Sequence, residues 1–367
     1  MRVVICGAGV IGACTALYLR RLGADVIVVD RVGVAAAASG KAGGFLARDW
    51  CTGSPLDALA RRSFGLHTQL RDEIGGDWDY RPMNAHSGFV VPDGDPFRTA
   101  PSRFGWLNDG VVVAQRIGTP ETTAIVHPHK FTTSVMTAAL AQGAELRFGR
   151  FTGIVRDRDG RTVRGLQVED SIIEADAVVI AMGPWSLIAA RWMSLPVVYG
   201  MESPSIVYDT GTQVSADALF LEMNAFQETL SVEVFPRPDG STYVTAFSDT
   251  ASLPTDPADV TPELNRLSML QKIAARLSPL FRPDKIITKQ ACVRPVIADG
   301  LPLIGRVAND EGLYIATGHG PWGILNAPAT GETLAQLIAE GATRDVDLAP
   351  FDPVRLAPFD SVRLPAQ

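Results

Sequence analysis

Within its first twelve residues the chain commits to a turn that few folds can use: Arg2-Val-Val-Ile-Cys-Gly7-Ala-Gly9-Val-Ile-Gly12, a short β run that bends through three glycines into a helix. Val3, Val4 and Ile5 have the unbroken apolar character of a parallel strand buried on both faces. Gly7 allows the tight turn, Gly9 lets backbone approach a pyrophosphate, and Gly12 lets the helix pack closely on the sheet. The helix start, at Val10 and Ile11, supplies the anion site. A second apolar run, Val26 to Val29, leads to Asp30, placed to accept the two hydroxyls of an adenosine ribose, with Arg31 beside it. A G-x-G-x-x-G alone is weak. Strand, glycines, helix, strand and acid in that order within about thirty residues point to dinucleotide binding, the alternative being an α/β domain that uses its glycines for packing only.

With 367 residues and 46% hydrophobic content the chain can build two domains around a shared interface. A formal net charge of -7 and the lack of a basic cluster argue against nucleic acid or an anionic membrane as partner, and favour a small metabolite. Four cysteines without C-x-x-C spacing fit a reducing compartment. Met1 directly precedes the first strand, and no apolar run has the length of a membrane span, so the expected location is cytoplasmic.

Ala35 to Gly44 is a run of small residues (Ser39, Gly40, Lys41, Ala42, Gly43 and Gly44 among them), suited to backbone lying against a flat ligand. Apolar residues from Leu56 to Ile74 recur at helical spacing until Gly75-Gly76, and further helices are expected over 130–141, 262–277 and 323–340. Segments 78–116 and 197–287 read as short strands with Gly and Pro, and a hairpin turns at Asp159-Gly160. Ile172 to Trp185 reads as one buried strand ending at Gly183, where a glycine faces the ligand crevice of a doubly wound sheet. Leu348-Ala-Pro-Phe-Asp-Pro-Val-Arg355 is nearly duplicated by 356–363 and reads as an extended, proline-restrained tail.

Four segments together resemble one family: the Gly7/Gly9/Gly12 fingerprint, Ser39 to Gly44, Ala175 to Ser186, and Asp299 to Gly305 followed by Thr317 to Gly331. In this order they resemble the FAD-dependent D-amino-acid oxidase superfamily, in the style of glycine oxidase and sarcosine oxidase. The resemblance implies an α/β fold in which a discontinuous, Rossmann-like FAD-binding domain (1–77, 123–196 and 288–345) is covered by an antiparallel-sheet α+β substrate domain (78–122 and 197–287), with 346–367 as tail. It further implies hydride transfer from a carbon bearing an amine to flavin, and reoxidation by oxygen or another acceptor.

Arg294 falls where glycine oxidase-like members keep an arginine for the substrate carboxylate, and a planar guanidinium suits that task; the bland alternative is a partner carboxylate within the protein, or solvent. Cys292 has a spacing to Asp299 that resembles the cysteine tethering flavin in sarcosine oxidases, yet buried cysteine is also a common core residue. Gly318, His319, Gly320, Trp322, Gly323, Ile324 and Leu325 are expected to pass the flavin ring, with His319 and Trp322 either walling the active site or merely packing. Gly183 and Trp185 join the cofactor set. Lys41 either approaches flavin or phosphate, or reaches solvent. His127-Pro128-His129 lacks a third ligand, so no metal is expected. Beside oxidation of a small amino acid or amine stand an amine or polyamine oxidoreductase in which Arg294 is structural, a flavin-fold binding or assembly protein, and an NAD-binding protein.

Overall fold

The computed structural model describes residues 1–92 and 94–357. Arg2–Cys6 lies inside a six-stranded sheet ordered Leu303–Arg306, Leu313–Thr317, Ala177–Ile180, Arg2–Cys6, Asp25–Asp30, Glu145–Phe148. All neighbours run parallel except the pair formed by Leu303–Arg306 and Leu313–Thr317. Side chains at Val3, Val4 and Ile5 are fully buried because helices cover one face of this sheet and a small three-stranded sheet covers the other. Helix α1 (Val10–Arg21) packs against the helix Pro128–Ala141 and the C-terminal helix Gly323–Glu340. Gly12 and Gly331 permit this closeness: a Cβ on the first would strike the Gly7 carbonyl, and one on the second the backbone of Cys14.

Above the carboxyl ends of the parallel strands lies an eight-stranded sheet, referred to as the roof. Its strand order is Val111–Gly118, Asn84–Val90, Asp217–Ala225, Glu228–Pro236, Ser241–Thr245, Tyr199–Asp209, with Asp249–Thr250 and Ile286–Val296 also pairing with Tyr199–Asp209. The expected antiparallel pattern has one exception, since Asn84–Val90 and Asp217–Ala225 run parallel. The outer face is closed by the amphipathic helix Leu264–Leu277, whose Leu267, Leu270, Ile273 and Leu277 pack with Val232, Val234 and Val244. The roof runs on to Val296, so a boundary at residue 288 would cut its last strand.

Two further expectations need correction. Ile172 to Trp185 is not one strand. Ser171–Glu174 closes the small sheet with Val163–Val168, and only Ala177–Ile180 enters the parallel sheet. The charged pair Glu174 and Asp176 marks the crossover; Asp176 accepts a hydrogen bond from the Arg2 backbone N–H at 2.7 Å. The C-terminal segment is likewise not simply extended: Ala349–Phe351 and Pro353–Arg355 are short 3-10 turns, Phe351 is fully buried, and Arg355 pairs with Asp299 at 2.7 Å. Most of the second copy of the duplicated motif, from Pro358 on, lies outside the described residues.

The helix Gly323–Glu340 carries Pro328 in its second turn. Proline has no N–H to offer the carbonyl of Ile324, four residues earlier. The helix α2 (Asp57–Ile74) repairs the gap: His67 Nε2 lies 3.0 Å from the Ile324 oxygen and 3.2 Å from that of Leu325, and Ser63 Oγ accepts from the Ala329 N–H at 3.0 Å. Carbonyls only accept, so Nε2 carries the proton and the ring is neutral with Nδ1 bare. Burial pushes His67 down to about 4 from its ordinary 6.5.

Two stability predictions result. The unfolded chain binds a proton at His67 that the native chain refuses, so this contribution is complete above about pH 6.5 and is lost as pH falls toward 4, by about 3 kcal/mol in all. Urea unfolding across that window is expected to show a shallower pH slope in His67→Gln, by the share of one proton; an unchanged slope would contradict the assignment. Phe351→Ala should lower unfolding free energy by about 3–5 kcal/mol, against about 1 kcal/mol for Arg355→Ala, measured by the same denaturation at pH 7.

Candidate functional site

A cavity of about 1060 Å³ runs between the parallel sheet and the roof. It begins at the carboxyl ends of the first two strands, where Gly7, Gly9, Val10, Ile11 and Asp30 line it, and reaches the roof at Cys292 and Arg294. At the turn, Gly7 holds φ +110°, and a Cβ there would collide with the Ala181 carbonyl of the neighbouring strand. The N-terminus of α1 opens on the cavity. Its Val10 N–H donates to Ser39 Oγ at 2.9 Å, while the N–H groups of Ile11 and Gly12 have no carbonyl a turn behind them. Asp30 receives the N–H groups of Ala8, Val32 and Gly33 at 2.8, 2.8 and 2.9 Å, which fixes its carboxylate at the cavity wall.

A loop from Thr250 to Pro257 borders the same cavity, and the sequence offered no motif for it. Two residues expected on the cofactor hold it down. Arg31 pairs with Asp256 at 3.0 Å and donates to the Thr255 carbonyl; Trp185 Nε1 donates to the Pro254 carbonyl at 2.9 Å. Both also line the cavity, as do Gly183, Ser39, Ala42, Gly320, Gly323 and Ile324. Not every expected cofactor residue does. Gly12, Gly40, Gly43, Gly44 and Gly318 are sites of close packing, where a Cβ would meet Gly7, Ala35, the Phe235 ring, Val126 and Ile297 respectively. Leu325 is buried in the core, and Trp322 stands apart from the cavity with its ring edge-on to Trp50 at 6.3 Å. Lys41 also lies off the cavity wall. Its carbonyl accepts from Gln290, and its charge acts on Cys292.

Arg294 and Cys292 occupy the strand Ile286–Val296, two residues apart and therefore on one face. Arg294 Nη2 donates to Ser203 Oγ at 2.6 Å and to Ser248 Oγ at 2.9 Å, while Nε is buried without a partner. Among the described residues it forms no ion pair, and its hydrogen-bond partners in the cavity wall are neutral hydroxyls. Burial pushes the Cys292 thiol up, with Arg294 and Lys41 acting in the opposite direction. His319 bonds Thr330 Oγ1 through Nε2 at 3.0 Å, its Nδ1 is buried and unpaired, and burial pushes the ring down to about 3. It is neutral at ordinary pH, a hydrogen-bonding group rather than a proton carrier. Among the described residues no three His, Cys, Asp or Glu side chains gather as a metal site, and no helix is long and apolar enough to cross a membrane.

The residues present fit an extended dinucleotide: an open helix N-terminus, an acid at the end of the second strand, and an orphaned His319 nitrogen along one continuous cavity. Comparison with known proteins agrees. The glycine oxidase of Pseudomonas putida is 26% identical over 375 residues, spanning 96% of this chain and 98% of its own. In structure, the glycine oxidase of Geobacillus kaustophilus superposes with a TM-score of 0.80 at 23% identity over 97% of this chain and 99% of that one. The L-proline dehydrogenase of P. horikoshii does so with 0.79 at 18% identity, over 96% and 97%. Residues 2–337 match the family described as FAD dependent oxidoreductase, DAO. By that match across most of its length, the chain belongs to the DAO family of FAD-dependent oxidoreductases.

Proposed function

We propose that the protein oxidises the C–N bond of a small amino acid, with Arg294 as the anchor for the substrate carboxylate. The observation that carries this is the unpaired cation in the cavity wall. A half-buried guanidinium without a counter-ion is costly, and a bidentate carboxylate is the ligand that its planar fork suits best. Bound FAD supplies the hydride acceptor and hands the electrons on to oxygen or another acceptor. The protein's own part is to bind, orient and exclude water. Ser203 and Ser248 fix the guanidinium plane, and the clasp of Arg31 and Trp185 on the 250–257 loop closes the cavity flank. The α1 N-terminus with Gly9, Val10 and Ile11 would hold the pyrophosphate, and Asp30 the ribose. The relatives named glycine oxidase support an amino acid as substrate class. A carboxylate-free amine remains the second reading, in which the hydroxyl pair makes Arg294 a structural residue.

Anaerobic mixing of the FAD-loaded protein with an amino-acid and amine panel separates the two. Arg294→Met is expected to lower the second-order rate of flavin bleaching by amino acids about 10²- to 10³-fold, with bound FAD unchanged and simple amines unaffected. Equal loss for amines and amino acids would remove the carboxylate role. We further infer that flavin is held without a covalent bond: burial pushes the Cys292 thiol up, against the thiolate form that would act as nucleophile. Acid-denatured protein should then have the mass of the bare chain; a mass increased by FAD would overturn this.

A further inference from the structure

The inner face of the roof carries a carboxylate that the proposed chemistry leaves unused. Glu233 lies opposite Phe220 on one neighbouring strand and Thr245 on the other. Residues opposite each other across an antiparallel pair project to the same side, as do residues two apart along a strand. One surface therefore continues from Phe220 and Glu233 through Thr245 and Ser205 to the strand bearing Cys292 and Arg294. Trp50, from the nucleotide-binding side, closes on this surface with its ring 4.8 Å from Phe220. Both rings remain only half-buried, unlike Phe235 and Tyr243 beside them.

Glu233 has no ion pair and no side-chain hydrogen bond among the described residues, although it is half-buried. Burial pushes its carboxyl up, and Arg294 pulls it the other way. Its own charge is felt at Cys292 and Tyr243. The strands of Glu233 and Arg294 are three steps apart, about 14 Å at the usual spacing, and Arg294 stands four residues beyond Gln290, which is level with Glu233, about 13 Å further along. Arg294 spends part of that distance by leaning across to Ser203 and Ser248. The inner face of the roof thus carries a cation at one end and an acid beside aromatic rings at the other, close enough for each charge to act on the other.

We propose that Glu233, walled by Trp50 and Phe220, is a subsite for a second, non-reacting cationic group of the substrate, so that the preferred substrate is an amino acid with a positively charged side chain. This deepens the proposed function and rests on Arg294 as carboxylate anchor. An amine whose carbon is about to give up hydride has to be neutral, so that its lone pair can form the C=N bond, and a carboxylate against it would hold its proton in place. An acid in this position therefore serves a nitrogen that stays charged. The aromatic faces beside it add cation–π attraction and cover the apolar stem.

Calorimetry on the FAD-loaded protein tests this with two ligands that no amine oxidation can consume: γ-trimethylammonio-butanoate and its uncharged tert-butyl isostere. The wild type is expected to bind the charged ligand about tenfold more tightly. Glu233→Gln should erase that preference while leaving the isostere's affinity within about twofold, and Trp50→Leu, an independent variant, should reduce it. Equal binding of both ligands by the wild type, or a preference that survives in Glu233→Gln, overturns the subsite. If Arg294→Met leaves both affinities unchanged, the carboxylate anchor falls instead, and a preference still erased by Glu233→Gln supports the subsite alone. Binding of neither ligand by the wild type overturns both.

Discussion

The strand Ile286–Val296 belongs to two layers at once, and the cavity is shaped by that double allegiance. From Ile286 to Val296 it pairs with Tyr199–Asp209 in the roof, while Val296 also makes a bridge to His319 at the edge of the parallel sheet. The backbone of Arg294, two residues before the bridge, is thereby fixed relative to both walls. Its guanidinium is then fixed by two serine hydroxyls from the neighbouring roof segments. Such a cation is tolerated only because the rest of the roof packs firmly: Val232, Val234, Ile206 and Val244 are fully buried under the helix Leu264–Leu277. Folding energy from the outer face of the roof thus holds an electrostatically costly inner face in place.

Neutrality elsewhere sharpens that cation. His319 and His67, the two buried imidazoles near the start of the C-terminal helix, are both kept uncharged by burial. Arg31 is already paired with Asp256, and Asp30 accepts three backbone N–H groups. Arg150 and Arg191 also line the cavity without an ion pair, but both are exposed to solvent; Arg294 is the half-buried cation of the wall that lacks one among the described residues. The repair of Pro328 by His67 and Ser63 belongs to the same arrangement. The carbonyls of Ile324 and Leu325 would otherwise sit beside the cavity without partners, in a helix whose first turn lines it.

Much of the parallel layer was legible in the sequence because its demands fall on the backbone. A glycine at Gly7, where a Cβ would strike Ala181, and apolar runs at Val3 to Ile5 and Val26 to Val29 leave visible marks. At Gly12 the glycine serves the close helix packing that the fingerprint asks for, and at Gly40, Gly43, Gly44 and Gly318 a Cβ would meet a neighbouring strand, helix or ring. Composition cannot separate a glycine that admits a ligand from one that admits protein. Ile172 to Trp185 misled for a related reason: an apolar run does not reveal which sheet it joins, and only the charges at Glu174 and Asp176 marked the change. In the duplicated C-terminal motif, prolines suggested an extended chain, yet Phe351 found a fully buried site and Arg355 found Asp299.

The roof was harder to read because its demands fall on single side chains distant in sequence. Ser203 and Glu233 sit in strands of ordinary alternating character, with Ser248 in the link between two strands, and a polar residue in such a strand usually marks the solvent side. Here that side of the alternation faces the nucleotide-binding layer, so the same pattern carries the opposite meaning. Only the register decides, through Glu233 opposite Thr245 and Ser203 opposite Cys292. The two layers therefore carry different kinds of information. The parallel sheet is constrained by backbone geometry, and the fold built on it is shared with structures only 18–23% identical. The roof is constrained by which charges and rings face inward, and a single substitution on its inner face can redirect what the cavity admits without disturbing the fold beneath it.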